Sequence, residues 1–166
     1  MTIRVGVIAD THLTDRPEDR RLLAGLAARH FHDAALILHA GDIVVPELLT
    51  AFLPTPVYAV RGNMDPATGD TPPKRVITVG GLRIGLIHGW GAPAGIVARI
   101  LPEFSGTSLD CLVFGHTHTP CLERRGGLLL FNPGSATDRR RMAWESVGLL
   151  EIEAGRIEGR IIPLSG

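Results

Sequence analysis

This sequence carries no surplus of charge. Lys+Arg and Asp+Glu each number 17, so the formal net charge is zero. No basic stripe of the kind that holds nucleic acid stands out, and stable nucleic-acid binding is not expected. An anionic substrate would therefore have to be drawn by local features rather than by the field of the whole molecule. Cysteine is scarce, with only Cys111 and Cys121. Cys111 lies in the apolar run "LDCLVF" and reads as core. A disulfide framework is excluded on these numbers, and a reducing cytoplasm is the expected compartment. Long hydrophobic runs are also missing. The opening "MTIRVGVIAD" is too short in apolar residues for a signal peptide, and no run reaches membrane-spanning length, so no membrane partner is expected. There is no internal repeat and no low-complexity segment.

What is present is the composition of a globular protein, 166 residues with 45% hydrophobic and 20% charged. That length suits one domain, residues 1–166, large enough to bury a core. Apolar, β-branched runs alternate with turn signals. "IRVGVI" (3–8), "AALILH" (34–39) and "PVYAV" (56–60) read as buried strands. "RPEDRRLLAGLAARHF" (16–31) reads as a helix with Pro17 in its first turn and Leu22, Leu23, Leu26 and His30 on one stripe. "PELLTAFL" (46–53) reads as a short helix, and "PAGIVARILPEF" (93–104) as another that stops at Pro102. "KRVITVGGLRIGLIHG" predicts a hairpin over Gly80-Gly81. "LDCLVF", "GLLLF" and a second hairpin over Ala154-Gly155 complete the set. The expected class is α/β, with two sheets packed together and helices outside. Strand edges in the second half would permit pairing between copies, so a homo-oligomer is compatible with the sequence.

Polar residues follow the apolar strands with regularity. "IRVGVI" is followed by "ADTH" (Asp10, His12), "LILHA" by "GD" (Asp42), and "VYAVR" by "GNMD" (Asn63, Asp65). "RIGLI" is followed by "HG" (His88), and "CLVF" by "GHTH" (His116, His118). Ligands of open α/β sheets bind outside the carboxyl ends of the strands. Asp10, His12, Asp42, Asn63, His88, His116 and His118 are too many donors for one tetrahedral ion and suit two ions sharing a carboxylate. Mixed imidazole, carboxylate and amide ligation favours first-row divalents, manganese first, with iron, nickel, cobalt or zinc as alternatives. Two such ions about 3.5–4 Å apart clamp a phosphoryl group for in-line displacement.

The ordered set D-x-H, G-D, G-N-x-D, H-G and G-H-T-H resembles the calcineurin-like metallophosphoesterase superfamily, and the short chain with "GNMD" resembles its small single-domain phosphodiesterases of the YfcE type. The resemblance runs from Asp10 to "NPGSATDRRR" and the strand after it. It implies a four-layer αββα sandwich of two mixed sheets flanked by helices. It also implies hydrolysis of a small phosphoester by a hydroxide bridging two metals. Asp10, His12 and His118 would hold one ion, Asn63, His88 and His116 the other, and Asp42 would bridge them. Better-known phosphatases of the superfamily carry histidine where this chain has Met64, so the family's proton donor is missing. Asp65 is retained, and the resemblance gives it an orienting role behind a ligand imidazole.

Other polar residues carry plainer readings. His30 and His32 read as structural, and His39 as a buried structural histidine beside "AGD". In "DRRRM" (138–142), one arginine is expected to face the site, with Arg139 nearest "NPGS" and Arg61 an equal candidate for gripping phosphate. "NPGS" reads as a turn that shapes the cleft, with Asn132 helping to close it. Two other activities fit the same chemistry, a phosphomonoesterase and a nucleotide pyrophosphatase. A protein-binding scaffold on this fold is a third reading, disfavoured because no ligand position has been lost.

Overall fold

Strand β1 (Ile3–Ile8) sets the pattern for the molecule. Val5 and Val7 point to one side of their sheet and Ile8 to the other, as the period of two requires, and all three are buried. A strand buried on both faces belongs between layers. The computed structural model describes residues 1–67 and 70–164. In it, β1 pairs in parallel with β2 (Leu36–His39), and β2 with β3 (Val57–Ala59). The second sheet holds β4 (Lys74–Val79), β5 (Leu82–Ile87), β6 (Cys111–Val113), β7 (Cys121–Arg125) and β8 (Leu128–Asn132). Its order is β4-β5-β6-β8-β7, with β5, β6 and β8 parallel. Strands β9 (Glu145–Glu153) and β10 (Arg156–Leu164) then return to the first sheet, whose order is β10-β9-β1-β2-β3.

The two five-stranded mixed sheets face each other across one apolar cluster. Val5, Val7 and Leu38 meet Ile84, Val113 and Phe131 there. On the outer face of the first sheet, helix α1 (Pro17–His30) buries Leu23 and Leu26 against Ile8, Ile37 and Phe31. On the outer face of the second, Ile96, Ile100 and Phe104 cover Leu112, Phe114 and Leu130. The layers are therefore α, β, β and α, as expected.

Both expected hairpins form, and each turn has two residues at positive φ, Gly80 (57°) and Gly81 (81°), then Ala154 (50°) and Gly155 (74°). Turns of that hand match the twist of the paired strands. Other expectations need correction. The segment 46–52 is a 3-10 helix rather than an α-helix. The helix over 93–104 is shorter and divided, with α2 spanning only Ile96–Ile100 and a 3-10 turn continuing through Leu101–Phe104. It cannot begin earlier because Gly95 is left-handed (φ 75°). The stripe of α1 is Leu23 and Leu26, since Leu22 is exposed and His30 half-buried. Strand β7 was not anticipated. Its residues "CLERR" are mostly exposed, as suits a polar edge strand with no inward face to advertise.

Among the described residues, no helix is long and apolar enough to cross a membrane. Cys111 is buried between the sheets and Cys121 is half-buried, and both are free thiols.

Candidate metal centre

The parallel strands of both sheets end on the same side of the sandwich, and the loops that leave them converge. Asp10 and His12 follow β1, Asp42 follows β2 and Asn63 follows β3. From the second sheet, His88 follows β5, and His116 and His118 follow β6. Asp10, His12 and His118 place one donor atom each within 4.8 Å of one another, and so do Asp10, Asp42 and His88. Asn63 joins them through Oδ1, 3.0 Å from His88 Nε2. His116 stands at the rim, its ring centroid 5.3 Å from that of His88, with its Nε2 2.9 Å from the Gly91 carbonyl.

Three of these donors are aimed by a second contact. His88 Nδ1 donates to the Ala40 carbonyl at 2.7 Å, which leaves the Nε2 lone pair facing Asn63 Oδ1 and, at 3.3 Å, Asp42 Oδ2. His118 Nδ1 donates to the Asp138 carbonyl at 2.6 Å, turning its Nε2 toward His12 Nε2 at 3.3 Å. Asp42 Oδ1 accepts from the Met64 amide at 2.9 Å, while its Oδ2 lies 3.4 Å from His12 Nε2. With the rings neutral, imidazole lone pairs and carboxylate oxygens face one another at hydrogen-bond range, and only a proton on a ring or a cation between them joins them. A cation resolves that arrangement, and this donor set of imidazole, carboxylate and amide fits a first-row divalent ion.

The electrostatics agree. Asp10 is fully buried, and burial pushes its carboxyl up to about 7 against the pull of His88. For Asp42, burial is outweighed by the hydrogen bond and charge of His88, and its carboxyl titrates lower than usual. His88 is the reciprocal case, where burial is outweighed by Asp42 and Asp10 and the ring holds its proton more tightly. Burial makes His118 harder to protonate, despite the Asp138 carbonyl.

The backbone here is strained in a way no motif reveals. Asp10 (φ 54°), His12 (46°), Asp42 (57°), His116 (71°) and His118 (57°) are all left-handed, as is Val44 (72°). Such residues are rare outside glycine, and they gather where a structure over-determines them for function. Two glycines make the close approach possible. A Cβ at Gly62 would collide with the Asp42 carboxylate and amide, and one at Gly41 would sit 2.8 Å from His88 Nδ1.

A family model for the calcineurin-like phosphoesterase superfamily domain matches residues 3–155. The chain belongs to that superfamily. Relatives and solved structures match along most of its length. A probable metallophosphoesterase of Methanothermobacter thermautotrophicus is 38% identical over 162 residues, covering 95% of this chain and 91% of the relative. A solved archaeal phosphodiesterase shares the fold with a TM-score of 0.73 at 18% identity, covering 96% of this chain and 100% of that one. Vps29 of Entamoeba histolytica, solved in complex with zinc, superposes with a TM-score of 0.66 at 25% identity over 97% of this chain and 99% of that one.

Other expected metallophosphoesterase residues fall into place or move. Among the described residues, Asp65 hydrogen-bonds no imidazole. Its carboxylate accepts the backbone amides of Asp42 (2.9 Å), Val44 (2.6 Å) and Gly62 (2.8 Å), so it braces the Asp42 loop rather than orienting a ligand ring. Arg139 donates to the Ala143 carbonyl at 2.7 Å, whereas Arg140 is the member of that run whose charge reaches Asp10 and His118. Arg61 lines a cavity together with Asn63 and His88. Met64 is exposed. His39 is buried, accepting from the Gly41 amide at 3.1 Å and meeting Thr11 Oγ1 at 3.1 Å. His30 and His32 belong to neither donor group. Asn132 donates to the Gly115 carbonyl and to Thr117 Oγ1, both at 3.1 Å, and so ties "NPGS" to the histidine loop.

Ser135 and Asp138 were not anticipated. Ser135 Oγ donates to the Asp10 carbonyl at 2.8 Å and accepts the Asp138 amide at 2.8 Å, which carries the Asp138 carbonyl to His118. No sequence pattern marks a residue that acts through its backbone.

Proposed function

We propose that this chain hydrolyses phosphodiesters using two divalent cations, manganese first among them, held by Asp10, His12, Asp42, Asn63, His88, His116 and His118. The observation that carries the reading is the position of Asp42. Its Oδ2 lies between His12 Nε2 (3.4 Å) and His88 Nε2 (3.3 Å), which belong to separate donor groups. A carboxylate so placed would be shared by the two ions. Bound there, the cations would lower the pKa of a water molecule and neutralise charge on the phosphoryl oxygens. Asp10 and Asp42 supply the anionic charge that holds them, and the histidine Nδ1 contacts to Ala40 and Asp138 fix which ring atom is offered. Hydrolysis adds water oxygen to phosphorus and breaks one P–O ester bond, and the departing alcohol needs a proton. Met64 supplies none, since a thioether has no donor. A diester with a good leaving group suits such a site, and the solved archaeal phosphodiesterase of the same fold supports that choice. The zinc complex of Entamoeba Vps29 supports cation binding on this fold. We place the reaction in one domain spanning residues 1–166 and in a reducing cytoplasm.

A panel of cyclic diesters, linear diesters and monoesters, assayed on demetallated and manganese-reconstituted protein, tests this. Turnover of an activated diester should vanish on stripping and return with manganese. Full activity in stripped protein would overturn the mechanism, and a preference for monoesters would overturn the substrate class.

A further inference from the structure

Beside Asn63 and His88 the surface sinks into a cavity of about 360 Å³. That falls within the range of small-molecule pockets, roughly 300–1,000 Å³. It adjoins the candidate metal centre but extends well past it, so a phosphoryl group alone would leave most of it unfilled. Three side chains give it a chemical character. Trp90 lines it and is 44% exposed, a large aromatic surface left in water. Arg61 lines it with no ion pair among the described residues. Lys74 and Glu103 stand at the wall as a pair, Nζ to Oε2 at 3.2 Å, offering a donor and an acceptor side by side.

Trp90 is not on a slack loop. Arg99 donates from Nε to the Trp90 carbonyl at 2.9 Å and from Nη1 to the Ala94 carbonyl at 3.1 Å, and it also reaches the Ala92 carbonyl. His116 Nε2 meets the Gly91 carbonyl at 2.9 Å. One guanidinium and one imidazole of the candidate centre therefore hold the segment bearing the indole. Such bracing is what a preorganised stacking platform requires. An alkyl substituent would desolvate the Lys74–Glu103 pair and gain nothing from it. A flat heterocycle stacks on the indole while its polar edge meets that pair.

We propose that this cavity seats the nucleobase of a nucleotidyl phosphoester, stacked on Trp90, with Arg61 gripping an oxygen of the phosphate. The proposal rests on the phosphoesterase reading above and names its substrate class. Trp144 is the one other tryptophan, so Trp144→Phe leaves Trp90 as the tryptophan reporter. Metal-loaded protein in that background is titrated with adenosine monophosphate and with ribose 5-phosphate, reading tryptophan fluorescence. The nucleotide should bind on the order of ten- to a hundredfold more tightly, the range that stacking on one ring supplies, and should quench the indole. Competition with a coloured activated diester should give the same ratio of inhibition constants. In Trp90→Ala, where the reporter is lost and binding is read by calorimetry, the ratio should collapse toward one, and by the same readout Trp90→Phe should retain most of it. Arg61→Ala should weaken both ligands alike and leave the ratio intact. Equal affinities in the parent protein, or a ratio untouched by Trp90→Ala, would overturn the base-stacking role, and unchanged affinities in Arg61→Ala would overturn the phosphate grip. Failure of the hydrolase reading appears separately, as absent turnover of any ester, and leaves the fluorescence titration readable.

Discussion

Replacing Asp65 with alanine removes the acceptor of three backbone amides at once. Two of them, on Asp42 and Gly62, belong to buried residues, while Val44 is half-buried and open to water. A buried N–H left without a partner costs about 1–3 kcal/mol, so two give roughly 2–6 kcal/mol, and the Val44 amide adds little because solvent can replace the bond. Taking about 4 kcal/mol, a domain of this size should melt roughly 8–16 °C lower. That leaves the variant folded, given a typical stability of about 5–15 kcal/mol. The loop it loosens carries Asp42 and Val44 in left-handed conformations that will relax once the brace is gone. A shift of about 1 Å in a reacting group can lower turnover on the order of a hundredfold. Asp65→Asn should recover part of the loss, because its one carbonyl oxygen can still accept the Asp42 and Gly62 amides that Oδ2 holds, while its NH2 would face the Val44 amide. The assay is chemical denaturation together with metal content and activity on an activated diester. Parent-like stability and turnover in Asp65→Ala would refute the bracing role.

Asp42→Ala should remove more activity than Asn63→Ala and should lose metal from both positions, as metal analysis of the purified variants will report; an Asp42→Ala protein keeping two ions per chain would contradict the bridge. Turnover should fall steeply as leaving-group pKa rises, and Met64→His should recover part of the roughly 10²–10⁴-fold that a general acid supplies, more for poor leaving groups than for good ones. A flat dependence with chemistry limiting would mean a proton donor exists elsewhere in the cleft. His39 gives a pH signature of the fold. Burial depresses its pKa from 6.5 to about 3, since its Nδ1 accepts the Gly41 amide and cannot take a proton without losing that bond. The unfolded chain therefore binds the extra proton, and this share of stability, present above about pH 6.5, is lost as pH falls toward 3, by about 1.4 kcal/mol per pH unit. Denaturation midpoints from pH 7 to 4 should show a shallower acid limb in His39→Gln; an unchanged limb would exonerate His39.

The parts of the fold that announce themselves in the sequence are those where one force acts alone. Strands such as β1 and β6 are apolar because both faces are covered, and the two hairpins show through residues that take positive φ. Strand β7 is invisible because an exposed edge imposes no pattern on "CLERR". "PELLTAF" has the composition of an α-helix, yet it folds as a 3-10 helix, which composition does not distinguish. The donor residues were legible because their types and order are unusual together. Their surroundings were not. Nothing in "GNMD" says that Asp65 turns back onto the Asp42, Val44 and Gly62 amides, and nothing in "DRRRM" says that the charge of Arg140 rather than Arg139 is the one felt by Asp10 and His118. Nor does the sequence disclose that five of the seven donors sit in left-handed backbone, because that strain is imposed by loops meeting in space.

The first sheet is finished only by β9 and β10, which pair onto β1 from the far end of the sequence. Asp10, His12, Asp42 and Asn63 come early in the chain, whereas His88, His116 and His118 come late. During synthesis, the early carboxylates leave the ribosome long before any imidazole partner from the second sheet exists. Only part of the donor set, Asp10, His12, Asp42 and Asn63, is then present to meet whatever divalent ion is most abundant. A cation held by donors of both sheets would be captured only by a completed chain, so the choice of metal would be made by the geometry of the finished sandwich and by the ions available at that moment.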